Sequence, residues 1–296
     1  MQQTVSLIIP IFNEAPHLER FLDGIDKLPL PLRKELVIVN DCSTDDSAEI
    51  LANFQFQSPV ILINQSRNQG KGAAIRTGIQ HATGDFIGIQ DADFEYDIND
   101  IPRLLAPLVE GKADVVYGSR FKKTNYQVHR TLHYLGNRTL MMLSNIMSGL
   151  YLSDMETCYK FFRADVIKNI TLESNRFGFE PEVTAKIARL QLRIMELPIS
   201  YFPRKYLEGK KITWKDGVAA LRHMFYFNLI RKSKNCFHET LPDHYRVKGE
   251  KGCKVYVLPT LNPWSGRSAQ ISARRMIHRR SDFNFGELVT MFSSGI

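Results

Sequence analysis

No run in the 296-residue chain approaches the roughly 18 consecutive apolar residues that a bilayer-spanning helix needs. The opening residues, MQQTVSLIIPIFNE, place no basic segment ahead of the apolar run and no small-residue cleavage site behind it. They read as a first strand and not as a signal peptide, so the sequons at Asn64, Asn137 and Asn169 carry little weight. Cysteine is scarce. Cys42, Cys158, Cys236 and Cys253 form no CxxC pair, which sets aside a zinc knuckle or a disulfide framework and suits a reducing, cytoplasmic compartment. GxxxxGK[ST] and HExxH are both missing. His129 and His133, four apart in HRTLH, read as a helix-surface pair. No internal repeat is visible.

What is present is the composition of an ordinary globular protein, 44% hydrophobic and 24% charged. The length allows one large domain, or one domain plus an appendage. The net charge of +8 suggests an anionic partner: nucleic acid, a membrane surface or a phosphorylated substrate. Residues 235–296 differ in character, with scattered Pro and Gly, weak periodicity and a basic cluster at Arg274, Arg275, Arg279 and Arg280.

Short runs rich in Val and Ile alternate with amphipathic stretches. The strand candidates are 4–9, 35–40, 60–64, 85–90, 114–118 and 192–200. Helical patterns begin near Asn13 and Ser43, which are the expected caps, and fill 72–82, about 130–149 and about 213–230. Such alternation predicts an α/β fold with a mainly parallel sheet covered by helices. Ligands in these sheets sit beyond the carboxyl ends of the strands. Pro10–Glu14, Asn40–Asp41 and Gln90–Glu95 therefore share one rim.

Five carboxylates crowd IQDADFEYDIND, residues 89–100. An EF-hand fails, because Tyr96 stands where Gly is needed and Pro102 where the bidentate Glu belongs. Asn99 or Asp100 reads as a cap for the helix that follows. Asp91 and Asp93, two apart at a strand end, suit a hard cation such as Mg²⁺ or Mn²⁺ that completes its shell with diphosphate oxygens. Gly70-Lys71-Gly72 is not a dinucleotide fingerprint, since Ile75 replaces the third glycine. It is either a helix start packed closely on the sheet, or the same start with Lys71 and backbone N–H groups facing phosphates. RKYLEGKK (204–211) is a solvated charge run or a basic loop that closes on a diphosphate. Arg120 follows a strand on the ligand rim, and Arg130 lies beyond it.

LIIPIFNE, VIVNDCSTDDS, NQGKGAAIRTGIQHATGDFIGIQDAD, VVYGSRF and DMETCYKFFR together resemble the motif series of family 2 glycosyltransferases with a GT-A fold. The similarity is greatest to the dolichol-phosphate mannosyltransferase and polyprenyl-phosphate glycosyltransferase branch, and it covers about residues 4–232. It implies a Rossmann-like catalytic domain over 1–232, including the amphipathic helix near 213–230, with 233–296 as a basic C-terminal extension. It implies that Pro10, Phe12, Asn13, Glu14 and Asp41 hold the nucleoside of a GDP- or UDP-sugar, with Lys71 and Gln90 on the same rim. Asp91, Asp93 and Glu95 would bind the metal. Arg204 and Lys210 would clamp the diphosphate, while Arg120 and Arg130 would receive an acceptor phosphate. The branch inverts the sugar by direct displacement, and an anionic polyprenyl phosphate needs no general base. A saccharide hydroxyl acceptor would need one, with Asp154 in that role. Nucleic acid is set aside, because the acidic rim repels phosphates. The apolar face around Met224–Ile230 either lies on the cytoplasmic membrane face as a peripheral contact or packs on the catalytic domain.

Overall fold

A computed structural model of the protein describes residues 2–122, 131–203, 214–246 and 256–257. Arg130, Arg204 and Lys210, expected at the phosphates, lie outside them. The strands are β1 (Thr4–Ile11), β2 (Arg33–Asn40), β3 (Val60–Asn64), β4 (Phe86–Ile89), β5 (Val115–Ser119), β6 (Lys160–Arg163), β7 (Arg193–Pro198) and β8 (Tyr256–Val257). They form one sheet in the order β3-β2-β1-β4-β6-β5-β7-β8. Every pairing is parallel except those of β6, which runs antiparallel between β4 and β5.

The helices are α1 (Ala15–Lys27), α2 (Ser47–Asn53), α3 (Lys71–His81), α4 (Ile101–Val109), α5 (Thr131–Ser148), α6 (Ala164–Ile167), α7 (Phe179–Ile187) and α8 (Trp214–Phe225). Apolar residues at helical spacing explain their docking: Leu18, Phe21, Leu22 and Ile25 of α1 are all buried, as are Ile101, Leu104, Leu105 and Leu108 of α4. Continuous apolar runs in β1, β2 and β5 are buried on both faces, as a covered parallel sheet requires.

Several local expectations change. Asn13 and Ser43 cap neither helix. The residues that flank the first turns of α1 and α2 are Glu14 and Asp46, and neither makes a side-chain cap bond. The Asn13 and Ser43 side chains instead tie two loops together. Asp100 is the N-cap residue of α4, as expected, but its side chain makes no cap bond; the capping side chain is that of Asp97, which accepts from the Asn99 N–H at the 3-10 turn Ile98–Asp100 that leads into α4. Strand β6 was not anticipated. Its Lys160 is fully buried and donates to the carbonyls of Met155 (2.9 Å) and Thr157, with its ammonium over the Tyr117 ring.

The core also continues past residue 232. Cys236, Leu241 and Tyr245 are buried, Ile170 bridges Phe237, and the Gln191 N–H donates to the Tyr245 carbonyl at 2.8 Å. The stretch from α8 through the π-helical turn Tyr226–Ile230 packs on the domain along part of its length and leaves the rest exposed. Met224 and Phe227 are buried on the domain, while Leu229 and Ile230 are 66% and 68% exposed. Among the described residues no helix is long and apolar enough to cross a membrane.

Candidate active site

The parallel register of β1 with β2 and β4 brings the three predicted loops to one rim, with Ile11 opposite Asn40 and Ile8 opposite Ile89. Hydrogen bonds then lock the first two. The Thr44 N–H donates to Asn13 Oδ1 (2.8 Å), the Asn13 N–H to Ser43 Oγ (3.1 Å), the Glu14 N–H to Ser47 Oγ (3.1 Å) and the Ala15 N–H to Asp45 Oδ2 (3.0 Å). Pro10 and Phe12 are half-buried beside them. The described non-glycine residues with positive φ are Asn13, Cys42 and Phe94, each at the end of one of these strands. Such conformations cost on the order of 1 kcal/mol each and collect at functional sites.

Asp41 is buried, and its two oxygens accept from the Gln69 N–H (2.8 Å) and the Gly70 N–H (2.7 Å). It thus fixes the turn that starts α3. The glycines of that turn are explained by contact. A Cβ on Gly70, at φ 95°, would lie 2.5 Å from the Asn175 carbonyl oxygen, and one on Gly72 would lie 2.5 Å from that of Ser174. The Ala73 N–H is taken by Asn175 at 3.0 Å. So α3 packs its start against the segment before α7, and Lys71 reaches the rim.

Lys71 Nζ lies 2.8 Å from Asp91 Oδ2 and 3.5 Å from Glu180. Burial alone would lower this lysine's pKa, but the two carboxylates outweigh it and hold the ammonium well above its ordinary value. Gln90 is wholly buried. It accepts from the Tyr159 hydroxyl (2.6 Å) and donates to the Asp91 carbonyl (2.7 Å), so it positions Asp91 from beneath. Asp93 Oδ1 accepts the Glu95 N–H at 3.1 Å, and Glu95 Oε2 accepts from the Tyr201 hydroxyl at 3.0 Å. Among the described residues no three acidic, His or Cys side chains converge as a metal-holding group. The expected set of Asp91, Asp93 and Glu95 is therefore not assembled as a cage.

Across β6, Arg120 donates through Nε (2.7 Å) and Nη2 (2.8 Å) to the two oxygens of Asp154, whose Oδ2 also accepts the Arg120 N–H at 3.0 Å. Asp154 is 1% exposed and its own N–H is held by Glu196 at 2.9 Å. It is thus the support of the arginine and not an accessible base. Two more residues of the DMETCYK loop bear on the site, Cys158 and Glu156, and of these Glu156 is not marked out by sequence reasoning. Burial and the nearby Asp91 push the Cys158 thiol up, which marks it as a core thiol. Glu156 is partly buried; desolvation, and then Glu180, raise its carboxyl to about 7. Its only sequence signal was its place in a motif at the strand-rim end.

The sequence profile of Glycosyl transferase family 2 matches residues 6–171. A dolichyl-phosphate beta-glucosyltransferase of Trichomonas vaginalis is 30% identical over 71% of this chain and 68% of its own length. The dolichol-phosphate mannosyltransferase of Pyrococcus furiosus is 28% identical over 75% of this chain and 62% of its own, and the undecaprenyl-phosphate 4-deoxy-4-formamido-L-arabinose transferase of Klebsiella pneumoniae is 30% identical over 70% and 62%. The chain thus spans about two thirds of the length of these relatives or slightly less. Among solved structures, glucosyl-3-phosphoglycerate synthase from Mycobacterium tuberculosis, crystallised with Mn²⁺, uridine diphosphate and glucosyl-3-phosphoglycerate, shares the fold with a TM-score of 0.58. It is 19% identical, over 78% of this chain and 82% of that one. S. aureus TarS in complex with UDP-GlcNAc aligns with a TM-score of 0.51 and 16% identity, over 78% of this chain and 68% of that one. With the profile spanning more than half the chain, on the α/β sheet whose rim carries these motifs, the chain belongs to glycosyl transferase family 2 and is a glycosyltransferase.

Proposed function

We propose that the protein moves a hexose from a UDP- or GDP-sugar to the phosphate of a polyprenyl lipid, inverting the anomeric carbon. The observation that carries this reading is the division of one rim by β6. Asp91, Asp93 and Lys71 lie on one side, and an arginine preset by Asp154 lies on the other. Relatives named for dolichyl, dolichol and undecaprenyl phosphates support the acceptor class. A phosphate oxygen of the acceptor forms the new bond to the anomeric carbon, while the bond from that carbon to the diphosphate breaks and its electron pair leaves with the nucleoside diphosphate. The acceptor is already an anion, so no base is needed. The bidentate hold of Arg120 on Asp154 favours this over a hydroxyl acceptor, because it occupies the expected base.

Mg²⁺ or Mn²⁺ fits Asp91 and Asp93, since two carboxylates plus diphosphate oxygens and water make its usual shell. When bound, it neutralises charge on the departing diphosphate. Lys71 adds positive charge beside Asp91. Arg130 would share the acceptor phosphate, and Arg204 and Lys210 would grip the diphosphate. Asn13, Glu14, Pro10, Phe12 and the turn held by Asp41 would cradle the nucleoside. Phe225, Tyr226, Leu229 and Ile230 are exposed, as are Met142 and Ile146 of the adjoining α5, and these apolar groups would suit a membrane surface, where such an acceptor resides.

The test is incubation with Mn²⁺, undecaprenyl or dolichyl phosphate, and a panel of UDP- and GDP-hexoses, followed by mass spectrometry of the lipid. A glycosylated lipid phosphate that disappears in EDTA is expected. Transfer confined to saccharide hydroxyls, or full activity in EDTA, would sink the proposal.

A further inference from the structure

Among the described residues three buried side-chain polar atoms lack a hydrogen-bond partner, and two of them, Glu156 Oε1 and Thr157 Oγ1, belong to consecutive residues of the loop entering β6. Because β6 runs antiparallel, this loop stands at the same rim as Asp91 and Arg120. A buried oxygen without a partner costs about 1–3 kcal/mol, more when charged, and it calls for an account. Such atoms are completed by water, an ion or a ligand, and at a rim that binds substrate they mark a place where a ligand group fits.

The surroundings of Glu156 narrow the ligand. Strand β6 is paired between β4, whose end carries Asp91, and β5, whose end carries Arg120, so the loop that enters it stands between the diphosphate side and the acceptor side. Glu180, Lys160, Arg120 and Asp154 all act on the Glu156 charge, and Glu180 also reaches Lys71. An anionic phosphate on either flank would be repelled by a carboxylate already facing Glu180 and Asp154. The transferred sugar is neutral, rich in hydroxyl donors, and the one substrate part that must pass between those flanks.

We infer that the Glu156 carboxyl is a specificity contact, accepting a hydroxyl of the donor hexose in the gap between Lys71 and Arg120. This deepens the reading of the rim as a nucleotide-sugar site and rests on it. No bond is made or broken at Glu156. It holds the sugar in orientation while the anomeric carbon changes partners.

The experiment is calorimetric titration with Mn²⁺ and, in pairs, UDP with UDP-glucose and GDP with GDP-mannose, on the wild type, Glu156→Ala and Glu156→Gln. For the pair that the wild type binds, Glu156→Ala is expected to weaken the sugar nucleotide about 10- to 100-fold while changing the free nucleotide less than about twofold. Glu156→Gln, which keeps the shape and an acceptor oxygen, falls between and guards against a misfolded alanine variant. Unchanged sugar-nucleotide affinity in both variants overturns the inference and leaves the proposed function standing. Equal loss for sugar nucleotide and nucleotide also overturns it, because that is the mark of a structural role. If the wild type binds none of the four, the proposed function fails and this inference falls with it.

Discussion

Replacing Glu156 with glutamine has a consequence for stability that is independent of any substrate. The carboxyl titrates near 7 in the folded protein, against 4.5 for an unperturbed side chain. Burial is the first cause and Glu180 the second, partly offset by Lys160 and Arg120, with Asp154 adding to the rise. Below pH 4.5 both folded and unfolded chains hold the proton, and Glu156 contributes nothing to pH dependence. Between 4.5 and 7 the unfolded chain releases the proton first, so the native state loses ground as pH rises. Above 7 the loss is complete. A shift of this size corresponds to about 3 kcal/mol withheld from the fold at pH 8. Glu156→Gln cannot ionise and keeps the shape, so its stability relative to wild type should rise by about that much between pH 4.5 and 8. Urea unfolding of both proteins at pH 4.5, 6 and 8 measures it. A difference that stays flat across this range, or one that shrinks with rising pH, would refute the claim that burial and Glu180 raise this carboxyl's pKa.

Other outcomes follow from the same geometry. Asp93→Ala should abolish transfer, by about a thousandfold or more, and remove the Mn²⁺ dependence of donor binding, while unfolding changes by no more than about 1 kcal/mol; full activity in that variant would sink the metal role. Asp154→Asn should cost about 3 kcal/mol in unfolding and lower kcat, because it leaves the Arg120 guanidinium without its counter-charge; an unchanged melting curve would show that the pair is not what holds the arginine. Leu229→Glu, or Phe225→Glu, should reduce sedimentation with anionic liposomes about tenfold, since each removes an exposed apolar anchor; unaltered liposome binding in both would dismiss the membrane face.

The parallel part of the sheet could be read from the chain because β1, β2 and β5 are apolar runs bounded by turns, as burial on both faces demands, while β3, more exposed at the sheet edge, is still a run of branched apolar residues. KFFR of β6 has no such mark. Four residues long, with a cation at each end, it looks like a loop, and only a lysine satisfied by two carbonyls and an aromatic ring makes it a central strand. The rim could be located for the same reason as the sheet, from strand ends. What the side chains do there could not. Asn13 and Ser43 have the chemistry of caps, yet the nearness of β1 and β2 gives them each other's loops. Lys71 and Asp91 are twenty residues apart, and nothing in their spacing announces a 2.8 Å contact. Asp154 reads as the base that a hydroxyl acceptor would need because it is an acid in a motif, and its burial and its two bonds to Arg120 are visible only in the fold.

Strand β6 also limits how the enzyme can be re-engineered. Its segment arrives late in the chain yet completes the middle of the sheet, pairing Gly88 with Phe161 and Tyr117 with Lys160. A chimera that took residues 1–110 from one relative and the remainder from another would therefore put its genetic joint far from its mechanical one. The mismatch would appear as steric conflict along both flanks of a four-residue ribbon. Exchanging acceptor preference between family members should succeed more often when the Phe161 and Lys160 contacts travel with the strand they seal than when a cut is placed at a convenient surface loop.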